Sequence, residues 1–198
     1  TKPTLLSSPS VATAITEAKL TRNHTTMNTE ENTSVITLRG IGKTYKSGDE
    51  KTVALHGIDI TIRSGDFLAI MGPSGSGKST MMHIIGLLDT PTEGVYLLDG
   101  QDVSKLKKNT QADLRNRKIA FLFQQFNLMP RTTVLENLLL PTVYGDLPNR
   151  YERAEQLLKE VDLADRTTHT GAQLSGGQIQ RVAVARALMM NPSLILAD

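Results

Sequence analysis

Nine consecutive residues, Gly72-Pro73-Ser74-Gly75-Ser76-Gly77-Lys78-Ser79-Thr80, carry the most specific chemistry in this chain. From Gly72 to Ser79 they fit the pattern Gly-x-x-x-x-Gly-Lys-[Ser/Thr]. The glycines let the backbone wrap tightly, so that successive amide N–H groups turn inward toward phosphate oxygens. Lys78 reaches the β- and γ-phosphates, Ser79 offers a hydroxyl to Mg²⁺, and a helix beginning at this point adds the positive end of its dipole. The competing reading is a flexible loop that happens to hold glycine and lysine. An apolar strand over residues 66–71 and a helix over 79–88 supply the context that favours the cradle. Alone, this loop implies a nucleoside triphosphate and Mg²⁺, a requirement shared by kinases, GTPases, helicases and transport ATPases.

A second glycine segment, Leu174-Ser175-Gly176-Gly177-Gln178, lies far downstream. Ser175 is a good N-cap for a helix over 178–190, with Val182, Ala185 and Met189 on an apolar face and Arg181 and Arg186 elsewhere. Gly176 and Gly177 remove side chains where the backbone would meet a ligand. Free N–H groups, a positive dipole end and no steric cover allow a second anion site; they equally describe an ordinary capped helix start, which is commoner. One nucleotide needs one cradle, so two such segments suggest a nucleotide shared between two molecules.

The elements that must position these segments can be read from the remaining pattern. At 198 residues the chain suits one domain with a sizeable core. Its formal net charge of +2 is too small to argue for nucleic acid. There are no cysteines, which excludes disulfides and thiolate metal sites, and no apolar run approaches the length of a membrane span. Residues 1–34 are rich in Thr, Ser and Asn and poor in large apolar side chains, so they are expected to form a disordered extension, with a targeting segment or leader as the alternative. Residues 35–39, 58–62 and 94–98 read as short strands of a small antiparallel sheet, with turns at Gly65-Asp66 and Asp99-Gly100. Residues 118–123 and 193–197 read as apolar strands of a parallel sheet covered on both faces by helices. Residues 133–140 and 151–161 have helical spacing between them. His56, His83 and the Met81-Met82 and Met189-Met190 pairs read as structural. The basic stretch of Lys105, Lys107, Lys108, Arg115, Arg117 and Lys118 fits a solvated face better than a phospholipid contact.

Taken together, Leu174-Ser175-Gly176-Gly177-Gln178, the following Gln180-Arg181 and Ala185-Arg186-Ala187-Leu188, Asn191-Pro192 and a strand ending in Asp198 resemble the signature region of ABC-type ATPases. The resemblance covers roughly 35–198 and implies an α/β fold: a P-loop NTPase core with a mainly parallel sheet, a small antiparallel β subdomain and a helical signature subdomain. It also implies that two such domains pack head to tail, with Ser175, Gly176, Gly177 and Gln178 of one closing on the γ-phosphate held by the other. Tyr45 resembles the aromatic residue that stacks on adenine; packing at a strand end is its local alternative. Gln124 resembles the Q-loop glutamine, with Gln125 the less favoured neighbour, and Asp198 the aspartate that holds Mg²⁺ through water. Within that family, Phe126-Asn127-Leu128-Met129-Pro130 and Glu136 through Pro141 resemble the lipoprotein-releasing and macrolide-export branch.

The resemblance therefore implies ATP and Mg²⁺ as cofactors and a homodimer or heterodimer of ATPase subunits. It implies an integral-membrane permease as partner, and a peripheral place on the cytoplasmic face of the membrane. The implied function is to power export or extraction; an ATP-gated regulatory partner of a membrane complex, or a binding-only fragment, are the alternatives. The family pattern continues past Asp198 with a catalytic glutamate and a switch histidine, so these residues alone are expected to bind ATP with little turnover and to be poorly stable.

Overall fold

The computed structural model of the protein describes residues 34–197. The expected disorder of residues 1–34 thus lies, Ser34 apart, outside the described residues, as does Asp198. The described chain forms two compact units that divide between Leu106 and Lys107.

The first unit is built on a four-stranded sheet in the order β2-β1-β3-β4. Its strands are β1 (Ser34–Ser47), β2 (Glu50–Arg63), β3 (Glu93–Leu98) and β4 (Gln101–Asp102), all pairing antiparallel. The strands at 35–39, 58–62 and 94–98 form as expected, but β1 and β2 run longer and meet in a hairpin where Ser47 faces Glu50. The β3–β4 turn uses Asp99 at φ 48° and Gly100 at φ 78°. Two successive left-handed residues are what a tight hairpin between right-twisted strands requires. Gly94 is demanded by space as well as by its φ of 88°: a Cβ there would lie 2.4 Å from the Gly40 carbonyl oxygen and 2.6 Å from that of Arg39. Helix α1 (Lys78–Ile85) buries Met81, Ile84 and Ile85, and the sheet buries Ile36, Leu38, Ile41 and Tyr96. Tyr96 is fully buried, and its hydroxyl donates to the Ile85 carbonyl at 2.8 Å. The ring contributes apolar burial worth about 1.5–3 kcal/mol while its one polar group stays satisfied.

Residues 66–71 do not form the expected strand. No ladder partner pairs with them among the described residues, and Phe67 is 77 % and Met71 54 % exposed. Without a neighbour to accept its N–H groups, an apolar segment has the composition of a strand but not its hydrogen bonds.

In the second unit, α2 (Lys108–Lys118) leads into β5 (Ile119–Leu122), which pairs parallel with β6 (Leu194–Ala197). The strand β6 alternates half-buried and exposed positions, with Ile195 45 % exposed, so it is not covered on both faces as expected. Helices α3 (Val134–Leu139), α4 (Arg150–Glu160) and α5 (Gly176–Ala187) share one core of Val134, Leu138, Leu157, Leu158, Val182 and Met189. The sequence reading missed α2, which buries only Gln111 and so shows no apolar stripe.

Candidate functional site

The glycine loop before α1 has the backbone of an anion cradle. Gly75 and Gly77 are left-handed, at φ 78° and 88°. A Cβ on Gly75 would meet nothing within 4 Å, so its freedom from a side chain keeps the space beside the loop open. A Cβ on Gly72 would lie 2.7 Å from the Oγ of buried Ser76, whose N–H closes the turn on the Pro73 carbonyl at 3.2 Å. Gly77 is the N-cap of α1 and supplies no side-chain cap, so the first-turn N–H groups of Lys78, Ser79 and Thr80 have no acceptor within the helix. The Lys78 ammonium donates to the Gly72 carbonyl at 2.9 Å and to that of Pro73 at 2.7 Å, which holds it over the loop. Ser74 and Ser79 are exposed. Uncapped first-turn amides, a dipole end and an ammonium held over the loop fit a phosphate chain, and the Ser79 hydroxyl is free to reach a cation bound to it.

Tyr45, near the end of β1, is 42 % exposed. Its hydroxyl donates to Asp89 Oδ2 at 3.0 Å, and the Lys43 ammonium sits 4.9 Å from its ring centroid. The same ammonium bonds Asp89 Oδ1 at 2.6 Å and the Thr90 carbonyl at 2.7 Å. Burial, with the Asp89 carboxylate beside it, raises the Tyr45 phenol pKa, while a hydrogen bond with Thr80 of α1 pulls the other way. Burial would raise the Asp89 carboxyl too, but the Lys43 ammonium, the Thr90 N–H and the Tyr45 hydroxyl outweigh it and hold it below the ordinary carboxylate value. Tyr45 therefore belongs to a charged cluster beside the cradle helix rather than to a plain strand end. Lys43 and Asp89 escaped sequence reasoning because their pairing spans 46 positions and leaves no local pattern.

In the second unit Gln124 and Gln125 are exposed and follow β5 after Phe123. Leu122 pairs with Ala197, so both parallel strands present their carboxyl ends at the edge where Gln124 lies, the edge at which open α/β sheets place their chemistry. The loop beyond is fastened at both ends. Arg186 of α5 donates to the carbonyls of Phe126 at 2.8 Å and Asn127 at 2.9 Å. Buried Asn137 accepts from the Met129 N–H at 2.8 Å and donates to the Thr132 hydroxyl at 2.7 Å. Arg186 was legible only as a residue off the apolar face of its helix; its partners lie some sixty positions away.

Helix α5 begins where expected, with Ser175 as N-cap in a full capping box. Ser175 Oγ accepts from the Gln178 N–H at 3.4 Å, and Gln178 Oε1 accepts from the Ser175 N–H at 2.8 Å. The Gln178 amide is thus partly used by the cap, and the open donors are those of Gly176 and Gly177. A Cβ on either glycine would meet nothing within 4 Å, so neither is demanded by packing inside the chain. Both are left-over glycines from the fold's point of view, which is what an anion site approached from outside would need. Among the described residues no group of three or more His, Cys, Asp or Glu could hold a metal.

Comparison with known proteins matches these features. A family model described as "ABC transporter" matches residues 55–198. The chain is 52 % identical over 166 residues to the uncharacterized ABC transporter ATP-binding protein YknY of Bacillus subtilis, covering 83 % of this chain and 72 % of that protein. It is 51 % identical over 164 residues to the macrolide export ATP-binding/permease protein MacB of Bdellovibrio bacteriovorus, but spans only 25 % of that relative's length. Among solved structures, the ATP-binding cassette MJ0796, in a dimeric post-hydrolysis state bound to ADP and Pi, aligns with a TM-score of 0.69 at 47 % identity, covering 82 % of this chain and 73 % of that one. With both glycine motifs in order and these likenesses across most of its length, the chain belongs to the ABC transporter family of ATP-binding cassettes.

Proposed function

We propose that this chain is the nucleotide-binding and ATP-hydrolysing part of a membrane transporter of the macrolide-export and lipoprotein-release kind, acting as a head-to-tail pair of cassettes on the cytoplasmic face of the membrane. The observation that carries the reading is the combination of a glycine loop with a lysine held over it and an uncapped helix start at residues 72–80, and bare glycines at the start of α5. The cradle holds one nucleotide from its own side, and the α5 start has open donors and no partner group among the described residues.

In this reading the amides of Gly75 and of Gly77 through Thr80 bind the phosphates and Lys78 leaves its carbonyls for the β- and γ-phosphates. Tyr45 carries the base. Ser79 would offer its hydroxyl to Mg²⁺, an ion that would neutralise charge developing on the phosphates during transfer. Ser175, Gly176, Gly177 and Gln178 close on the γ-phosphate of the opposite cassette. Gln124 sits on a loop tied to α5 through Arg186, so a pull on the α5 start is transmitted to the loop that would face a permease. No helix among the described residues is long and apolar enough to cross a membrane, which leaves membrane attachment to other segments or subunits.

The test is sedimentation of the chain with and without ATP and Mg²⁺. The reading expects a nucleotide-dependent dimer that Gly177→Asp abolishes while ATP still binds each monomer. Association that ignores nucleotide, or that survives Gly177→Asp, overturns it.

A further inference from the structure

Lys43 is a charged residue that the fold has nearly closed off: it is 9 % exposed, at the end of the buried run Ile41-Gly42-Lys43 of β1. A buried ammonium needs compensation, and here it comes from Asp89 at 2.6 Å and the Thr90 carbonyl at 2.7 Å. Those two partners sit in the turn after α1, so the pair joins the cradle helix to β1. The turn is held a second time, by the Thr92 N–H on the Gly42 carbonyl at 2.8 Å and the Thr44 N–H on the Thr92 hydroxyl at 3.0 Å. Junction of strand and turn is therefore secured without the ion pair.

What the ion pair adds is control of one ring. Lys43 and Tyr45 lie two apart on β1 and share a face. The ammonium covers one side of the phenol at 4.9 Å from the centroid, and Asp89 Oδ2 fixes its hydroxyl end at 3.0 Å. Asp89 thus serves both residues, through different oxygens. Only the opposite face of the ring is left for a ligand, and it is the face of a ring drawn electron-poor by the cation behind it, which favours stacking on an electron-rich purine.

We propose that Lys43 and Asp89 are positioning residues for base binding: a charged backing that fixes the angle of Tyr45 and presents one face of it to the nucleobase. The proposal rests on the reading of Tyr45 as the base platform. Both residues act through the ring and do not touch the phosphates.

The experiment compares calorimetric affinities for ATP and for inorganic tripolyphosphate, which occupies the cradle but has no base. Lys43→Met and Tyr45→Phe should each weaken ATP binding by about threefold to tenfold, in line with the loss of a cation–π contact or of one ring-orienting hydrogen bond. Lys43→Arg should largely restore it, and tripolyphosphate affinity should not move. In a Tyr45→Leu background, Lys43→Met should add no further loss. If Tyr45→Leu leaves the ratio of ATP to tripolyphosphate affinity unchanged, the base-platform reading fails and the inference with it. If Tyr45→Leu lowers that ratio but Lys43→Met and Tyr45→Phe do not, the platform stands and the charged backing is wrong. Equal losses for both ligands, or a Lys43→Met loss that persists without the ring, also overturn the proposal. Should Lys43→Met not fold, the Lys43→Arg and Tyr45→Phe comparison decides alone.

Discussion

One serine and one threonine at helix starts separate binding from stability. Ser175 caps α5 and Thr133 caps α3, each in a full capping box, and both helices pack into the same core. Alanine at Ser175 removes a hydroxyl that accepts from the Gln178 N–H at 3.4 Å. Alanine at Thr133 removes one that accepts from the Glu136 N–H at 3.2 Å and also donates to Glu136 Oε2 at 2.9 Å. Loss of a capping side chain costs about 0.5–2 kcal/mol. The longer bond puts Ser175→Ala near the lower end, about 0.5 kcal/mol, and Thr133→Ala nearer 1 kcal/mol. By stability alone, then, Thr133→Ala does the greater damage. If the Ser175 hydroxyl also meets the phosphate of a partner's nucleotide, the order reverses in ATP-dependent association. A hydrogen bond to a charged group contributes about 1.5–3 kcal/mol, so Ser175→Ala should weaken the dimer at least tenfold while Thr133→Ala leaves it within about twofold of the parent. Urea unfolding followed by circular dichroism gives the first ranking and sedimentation equilibrium with ATP and Mg²⁺ the second. If Thr133→Ala weakens association as much as Ser175→Ala, the effect is merely stability, and the trans contact assigned to Ser175 is refuted.

Three further outcomes follow from the geometry. Gly94→Ala should destabilise the first unit by more than about 2 kcal/mol, because a left-handed φ and two backbone carbonyls within 2.6 Å leave a Cβ nowhere to relax; an unfolding midpoint close to the parent's would contradict this. Asp89 has a folded pKa below its ordinary 3.8, so its contribution to stability is complete above that value and is lost as pH falls through the folded pKa; urea midpoints measured from neutral pH downward should converge for the parent and Asp89→Asn in acid and diverge above it. Arg186→Met should speed amide hydrogen exchange between Gln125 and Met129 at least tenfold, since it frees the loop's two bonded carbonyls, and unchanged exchange there would show that the loop is held by Asn137 alone.

How much of this was legible in the sequence differs residue by residue. The cradle and the α5 start are local: their glycines, lysine and cap act through neighbours within a few positions, so spacing reveals them. The Asp99-Gly100 turn is legible for the same reason. Residues 66–71 have the right composition for a strand and still do not pair, because a strand is a relation between two segments and periodicity describes only one. Helix α2 was lost for the opposite cause, an exposed polar helix with a single buried position, Gln111. Lys43 with Asp89, Arg186 with the Phe126 and Asn127 carbonyls, and Gly94 against Gly40 all depend on the tertiary register. The bare glycines at 176 and 177 are a mixed case: the sequence shows that they lack side chains, and the structure adds that nothing among the described residues needs that space.

The central claim is that one nucleotide is held jointly by the cradle of one chain and the α5 start of another, and complementation between two defective chains tests it most directly. Lys78→Ala removes the ammonium from the cradle and leaves the α5 start intact; Gly177→Asp does the reverse. Each variant alone should fail to associate with ATP and Mg²⁺. Mixed in equal amounts they should form a heterodimer containing one whole site, Gly177→Asp supplying the cradle and Lys78→Ala the helix start. A mixture that sediments as the sum of its two monomers, or either variant dimerising alone as well as the parent does, would contradict the account.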